Sequence, residues 1–493
     1  MLKCFWLLFL QALPIILASQ SKADYQWQLG STSKSLELSF NQGERMIRTF
    51  SRPMYMGYFN ASISDSDGNL LLYSNGCQIN NGNHVTIPGS ENLNPGSVDQ
   101  EWCGQSQGSF YPVSEGGLFL PFSNDSTIVL LHQRLSVTGP PLVAYIDALF
   151  YTLLKKSGDI YSIVEKSVPI IEDSLSYGRL EAIPGDKDGY WWVIQGIQNS
   201  NKYFTIGWDS GKIDTTFIQI IGDVTIRKGE AAAQSVFSSD GKKYARYAPA
   251  DDLFLFDFDR TSGILSNYQK LHVADSGSIG GLAFSSNSRF LYACSIQDLY
   301  QFDVSVTNIE DTRTHIAHYD GFVSPFPTTF YYMQLGPDCK IYMIPPNGVD
   351  IMHVINKPDS KGLECDLKQH GFTLPSYNSI TIPNFPVFRA FPDSPCDPTI
   401  STFLLEAGNI HPELIAYPNP TRDIINIQLD DNESYSKVQV KVIDLTGDIL
   451  LEKEMEYSMD KAQLDISILQ AGIYILQIKG NRDYLVGRIL KID

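Results

Sequence analysis

The chain has 493 residues, with 37 Lys and Arg against 55 Asp and Glu, a formal net charge of −18. That balance excludes a phosphate-backbone binder, which needs a basic face, so no nucleic-acid partner is expected; the acids are spread along the chain and serve solubility. The length corresponds to about three ordinary domains, unless a repeat fold takes up most of it.

At the N-terminus, Lys3 precedes an apolar run from Cys4 to Ala18 that only Gln11 and Pro14 interrupt, followed by Ser19-Gln20-Ser21-Lys22-Ala23. A short basic start, an apolar stretch too short to span a bilayer comfortably and small residues after it read as a cleavable secretory signal over residues 1–23. Cleavage after Ala18 or after Ala23 fits the small-residue rule. No later segment is long and apolar enough to cross a membrane, so no membrane span is expected after the signal is removed.

From residue 24 to 398 one pattern returns. Phe237-Ser238-Ser239-Asp240-Gly241-Lys242-Lys243-Tyr244 is followed by Leu253-Phe254-Leu255-Phe256-Asp257 and the turn Thr261-Ser262-Gly263. Phe284-Ser285-Ser286-Asn287-Ser288-Arg289-Phe290 leads to Leu299-Tyr300-Gln301-Phe302-Asp303, and Leu335-Gly336-Pro337-Asp338-Cys339-Lys340-Ile341-Tyr342 leads to Ile351-Met352-His353-Val354-Ile355. Looser copies start at Ile63, Pro121 and Ile183. From Asp240 to Asn287 is 287 − 240 = 47 positions and from Asn287 to Asp338 is 338 − 287 = 51. A period near fifty, with several short strands per unit and no helical periodicity, predicts the blades of a β-propeller. Each Asp-Gly makes a tight turn, Gly accepting positive φ while Asp caps backbone amides. Six copies are visible, and residues 24–50 with 374–400 supply a seventh if the two ends join; six to eight blades fit the pattern. These units resemble the TolB-like propeller repeats of bacterial periplasmic and secreted proteins.

Seven cysteines become six once Cys4 leaves with the signal, an even number that suggests disulfides in an exported chain. Cys77 with Cys103 and Cys365 with Cys396 flank Gly/Asn/Pro-rich loops, and Cys294 with Cys339 remain as a third pair. Closing a loop of about 25–30 residues stabilises by roughly 3 kcal/mol.

The search for chemistry turns up little. Gly104-Gln105-Ser106-Gln107-Gly108 matches the pattern of a nucleophile elbow, but its surroundings read as loop on both sides rather than strand-to-helix. His315, His318 and Asp320 are a ligand set only on a helical turn, and strand or loop is expected there. Asp65, Asp67 and Asn69 alternate as in a calcium loop without the acidic residue that should close it, so a blade turn is the better reading. No catalytic residue, cofactor or metal is therefore assigned. Aromatic residues are plentiful, at Trp102, Tyr190-Trp191-Trp192, Trp208 and Tyr331-Tyr332. A propeller face uses such rings to stack on sugars or peptides, although most should be core.

The last eighty residues read differently. Ala416-Tyr417-Pro418-Asn419-Pro420-Thr421 precedes the alternation Asp423-Ile424-Ile425-Asn426-Ile427-Gln428-Leu429; Val438 to Asp444 alternates again and ends in Leu445-Thr446-Gly447-Asp448. Leu464 to Ser467, Ala471 to Ile478 and Arg488 to Ile492 complete the pattern. Period-two hydrophobicity broken by Asn-Pro and Thr-Gly turns predicts a small β-sandwich from about residue 413, after a linker over 399–412. These motifs, in this order, closely resemble the type A C-terminal sorting domain of the type IX secretion system of Bacteroidota. The resemblance implies export across the outer membrane, to the medium or the cell surface, with the secretion machinery as partner. Trp27-Gln28-Leu29-Gly30, Ser74-Asn75-Gly76-Cys77 and Pro383-Asn384-Phe385-Pro386 further resemble features of uncharacterised Bacteroidota propellers carrying the same tail. The expected function is a binding or adhesion module with a glycan or protein ligand on the propeller face. The alternative is an extracellular hydrolase or lyase with acidic residues meeting at the channel mouth.

Overall fold

The computed structural model describes residues 21–493 apart from 105–109, 124, 141–142, 226–232, 250, 274–278, 390–395, 401–413, 430–436, 445–448, 457–461, 480–483 and 493. Among the described residues, the chain from 26 to 379 forms seven antiparallel sheets, each built from consecutive strands. They span residues 26–50, 61–81, 117–171, 181–220, 235–271, 281–318 and 333–379, the first two with three strands and the rest with four. Sequential up-and-down sheets of this kind are propeller blades.

Each of the six sequence motifs lies at the same place, the turn between the first and second strand of blades 2 to 7. In blade 2, Asp65 Oδ1 accepts from the amides of Asp67 and Asn69 at 2.9 and 2.8 Å, and Gly68 has φ +82°. In blade 5, Asp240 Oδ1 accepts from Ser238 Oγ and the Lys242 amide, with Gly241 at φ +70°. Blades 6 and 7 keep the positive φ without glycine, at Ser288 (+61°) and Cys339 (+62°). The carboxylate or amide caps the turn in blades 2, 5 and 6, where the repeat is a hydrogen-bonding unit first and a packing unit second.

The first strands of blades 2 to 7 start at one end of a central channel, here the upper end. Gln234 holds three of them in line: its Oε1 accepts from the amides of Leu282 and Met333, and its Nε2 donates to Met333 O. Gln26–Gly30 of blade 1 runs the other way. Ala23 O accepts from Ser64 N at 2.8 Å, and the carbonyls of Gln26 and Gln28 accept from Ser62 Oγ and Asn60 Nδ2, an antiparallel alignment with Ala61–Ser64. Blade 1 thus begins with a strand in the sense of a second strand.

The chain after blade 7 fills the place inside it. Asn384 N donates to Asn60 O, Asn384 Nδ2 to the carbonyls of Gly117 and Leu180, and Val387 N to Ala182 O. Residues 384–387 therefore run down the channel in the sense of the inner strands. Below them the Arg389 guanidinium forms a two-pronged ion pair with Asp24, both side chains 8% exposed. The expectation that 24–50 and 374–400 make one blade needs correction in one respect. Residues up to Ser379 belong to the last strand of blade 7, Leu367–Ser379, and only the chain beyond Ser379 joins the first blade. Blades 7 and 1 then close the ring face to face, Trp27 and Phe40 packing on Tyr342 while Arg45 donates to Tyr342 Oη and lies 4.2 Å from the Phe372 ring.

The disulfides also depart from expectation. Cys77–Cys103 is formed, with Cα atoms 5.4 Å apart, but Cys396 bonds Cys339 and not Cys365. The reason lies in the blade 7 turn: Cys339 takes its positive-φ corner, and the returning chain docks there through Asp397 N to Pro337 O. Cys365 closes a 3₁₀ turn facing inward, and Cys294 is buried in the second strand of blade 6, its Sγ 2.9 Å from Tyr331 O. Both remain thiols, so the Cys365–Cys396 and Cys294–Cys339 pairings are wrong.

Residues 414–491 form a second all-β unit. One sheet joins Leu414–Tyr417, Ile424–Leu429 and Ala462–Asp465; the other joins Ile449–Glu456, Lys437–Ile443, Gly472–Lys479 and Tyr484–Lys491. The alternation read from sequence puts Ile425, Ile427, Val438, Val440, Val442, Leu464, Leu476 and Ile478 into one core. The expected linker falls almost wholly outside the described residues, as do the signal segment up to Gln20 and Ser106 of the elbow-like motif.

Candidate functional site

The upper mouth of the channel combines exposed rings with buried acids. Met54, Met56 and Phe59 are buried in the segment leading into blade 2, while Tyr55 and Tyr58, lying between them, are half-buried. The chain entering blade 3 brings Phe110 onto the same spot, its ring 5.1 Å from Tyr55 and 5.3 Å from Tyr58. Gly57 permits this approach, since a Cβ there would lie 2.1 Å from the Phe110 ring. Trp102 completes the platform at 5.7 Å from Phe110 and is 38% exposed. It ends the short helix Ser97–Trp102, which the neighbouring Cys77–Cys103 bridge ties to the turn between the second and third strands of blade 2. Tilted and edge-on rings at these spacings are a mutually supporting cluster whose outer faces remain for a ligand.

Beneath the platform lie Glu115 and Glu181, 6% and 3% exposed. Burial pushes the Glu115 carboxyl up to about 8, against a hydrogen bond from Gln234 that lowers it. Burial likewise holds Glu181 well above the carboxylate range, and Glu115 adds to that push. Two acids that oppose each other's ionisation are a pattern that active sites use. Here, though, the surroundings are closed. Gln133 Nε2 donates to the carbonyls of Ser176 and Gly178, Arg179 Nε to Tyr247 O, and Arg246 Nη2 to Ser176 Oγ, all buried. Tyr331 and Tyr332 stack at 3.9 Å, also buried. This ring of amides and cations ties neighbouring blades together.

The residues singled out from sequence separate clearly. Trp191, Trp192 and Trp208 are core, exposed by 6%, 4% and 1%. His315 and His318 lie on the outer strand of blade 6 and both contact Asp298 Oδ1, at 2.8 and 2.9 Å. Asp320 instead sits 3.4 Å from His370, so His315, His318 and Asp320 are not brought together. Among the described residues no group of three His, Cys, Asp or Glu side chains is arranged to hold a metal ion. Asp65, Asp67 and Asn69 form the blade 2 turn. Tyr55, Tyr58 and Phe110 were missed, because they lie in loops between blades where no periodicity marks them. Glu115 and Glu181 were missed for the opposite reason: isolated acids far apart in sequence carry no motif.

Comparison with known proteins supplies one assignment. Residues 415–492 match the family model described as the secretion system C-terminal sorting domain. No curated protein matches the chain. Among solved structures, a candidate 6-phosphogluconolactonase from Bacteroides fragilis is 11% identical at a TM-score of 0.42, covering 73% of this chain and 98% of its own. The dihydro-heme d1 dehydrogenase NirN is also 11% identical, at 0.40, over 93% of this chain and 79% of its own. The Dos1 propeller is 12% identical at 0.37, over 66% and 73%. These likenesses are too distant to bear on activity. The C-terminal unit is thus a type IX sorting domain, which directs the chain to secretion or to the outer-membrane surface.

Proposed function

We propose that this chain is an exported β-propeller that binds a glycan or protein ligand on its upper face, without catalysis. The observation that carries the reading is the platform at the channel mouth, with Trp102 exposed, Tyr55, Tyr58 and Phe110 half-buried beside it, and a disulfide bracing it. Export then follows a secretory signal over 1–23, with a propeller over 24–398, a linker over 399–412 and the sorting domain from 413. The alternative hydrolase reading draws on Glu115 and Glu181, but both side chains are buried, Glu115 against Gln234 and Glu181 accepting from the Ala182 amide. The test is a glycan and peptide array probed with the purified full-length chain and with Trp102→Ala and Glu115→Gln variants. Binding that Trp102→Ala abolishes and Glu115→Gln spares supports the proposal. Turnover of a captured glycan or peptide that Glu115→Gln abolishes would replace it with the hydrolase.

A further inference from the structure

The sorting unit departs from its own alternation at one end of its larger sheet. The side chains that point inward there, Val440, Val442, Tyr474, Leu476 and Ile489, are buried, as a period of two requires. The positions between them face outward and should be polar. Toward one end they are: Lys437 pairs with Glu454 at 2.9 Å, Lys441 with Glu452 at 3.3 Å, and Gln439 donates to Glu452 at 2.9 Å. Toward the other end they are aliphatic. Ile443 stands opposite Ile449 on one side and Ile475 on the other, and Ile473, next along the same face, stands opposite Leu490. These side chains form one apolar patch that crosses all four strands. Ile449 is 50% exposed, Ile473 42% and Leu490 37%, while Ile443 and Ile475 between them are half-buried.

The smaller sheet gives the contrast. Ile424 is exposed on its outer face, but its cross-strand neighbour is Asp465, and beside it Gln463 Nε2 donates to Asn426 Oδ1 at 3.0 Å. One apolar side chain among polar ones needs no explanation, whereas a contiguous set marks a surface that another molecule covers. The nature of that molecule can be narrowed. The Lys–Glu ladder on the same face is paired within itself and offers little net charge, so recognition there rests on apolar burial. A second copy is disfavoured, because a formal net charge of −18 sets copies against each other. The partner that the family match gives this unit is the secretion machinery.

We infer that this patch is the face by which the sorting domain docks on the type IX machinery, against an apolar strip of the receiving component. It goes beyond the ligand proposal for the propeller and stands independently of it. The test is export of the full-length chain from a host with a working type IX system, read by fractionation and immunoblotting. The triple variant Ile449→Thr/Ile473→Thr/Leu490→Thr keeps strand-forming side chains but removes the apolar contact. It should stay in the periplasm, the exported fraction falling about tenfold or more, with its tail as resistant to protease as the parent's. Ile424→Thr, the same change on the outer face of the other sheet, should be exported like the parent. Ile449→Thr alone, on an edge strand and already half in water, should lower export in the same direction and covers the case in which the triple variant fails to fold. The inference is overturned if the folded triple variant, or Ile449→Thr where the triple variant does not fold, is exported like the parent, or if Ile424→Thr blocks export as strongly. A parent that sediments as a dimer and a triple variant that sediments as an exported monomer would overturn it too, by assigning the patch to a second copy.

Discussion

The buried ion pair of Asp24 and Arg389 is one of the contacts that close the ring, and removing one partner should expose how much it contributes. Asp24 and Arg389 are 365 positions apart and lock the start of blade 1 to the segment threading the channel. Each is almost fully covered, and Arg389 also donates to Ser21 O at 3.1 Å. Truncating one member of such a pair leaves the other charged and desolvated, a loss of about 3–5 kcal/mol. Asp24→Asn should therefore destabilise by that amount, a large share of the roughly 5–15 kcal/mol that holds a domain folded. The double variant Asp24→Leu/Arg389→Met removes both charges and forfeits mainly the bond to Ser21, so about 1 kcal/mol. The double variant should then be about 2–4 kcal/mol more stable than Asp24→Asn, a difference measured by urea unfolding of both variants and the parent followed by tryptophan fluorescence. Salt should alter it little, since a buried pair is poorly screened. A loss under ~1 kcal/mol for Asp24→Asn, or a double variant no more stable than Asp24→Asn, would refute the closure argument.

Three further outcomes are expected. Replacing Cys77 and Cys103 by Ser removes a 26-residue constraint and should cost roughly 3 kcal/mol, with ligand affinity at the platform falling as Trp102 loses its anchor. For Glu115, the folded-state value near 8 lies above the unfolded value, so the folded state holds the extra proton. Stability should fall as pH rises from about 4.5 towards 8 and level off above it, and Glu115→Gln should flatten that slope; equal slopes in urea melts at several pH values would contradict the burial argument. Deleting residues 413–493 should leave a folded propeller that stays in the periplasm of a host with a working type IX system, as read by fractionation. A truncated chain that still reached the surface would defeat the sorting assignment.

The sequence by itself determined the local structure and the address. Ser/Pro-Asp-Gly turns need only their own side chains and a positive φ, so Asp65, Asp240 and Asp338 marked the inner turns of their blades before any tertiary contact was known. The tail was legible for the same reason, its period-two runs and Asn-Pro turns being local. Tertiary structure decided whatever joins distant chain. Cys396 chose Cys339 over Cys365 because the returning segment docks at the blade 7 turn, a fact of ring closure that spacing does not encode. Asn384 reads as a loop residue, yet it bridges Asn60, Gly117 and Leu180. The candidate site follows the same division. Trp102 could be singled out as a ring, but its exposure, and the burial of Trp191 and Trp208, depend on which blades pack against them. Glu115 and Glu181 acquire perturbed chemistry only because neighbouring blades close over both. In a propeller the repeat makes the blades, and the contacts between blades, which no repeat unit contains, make the sites.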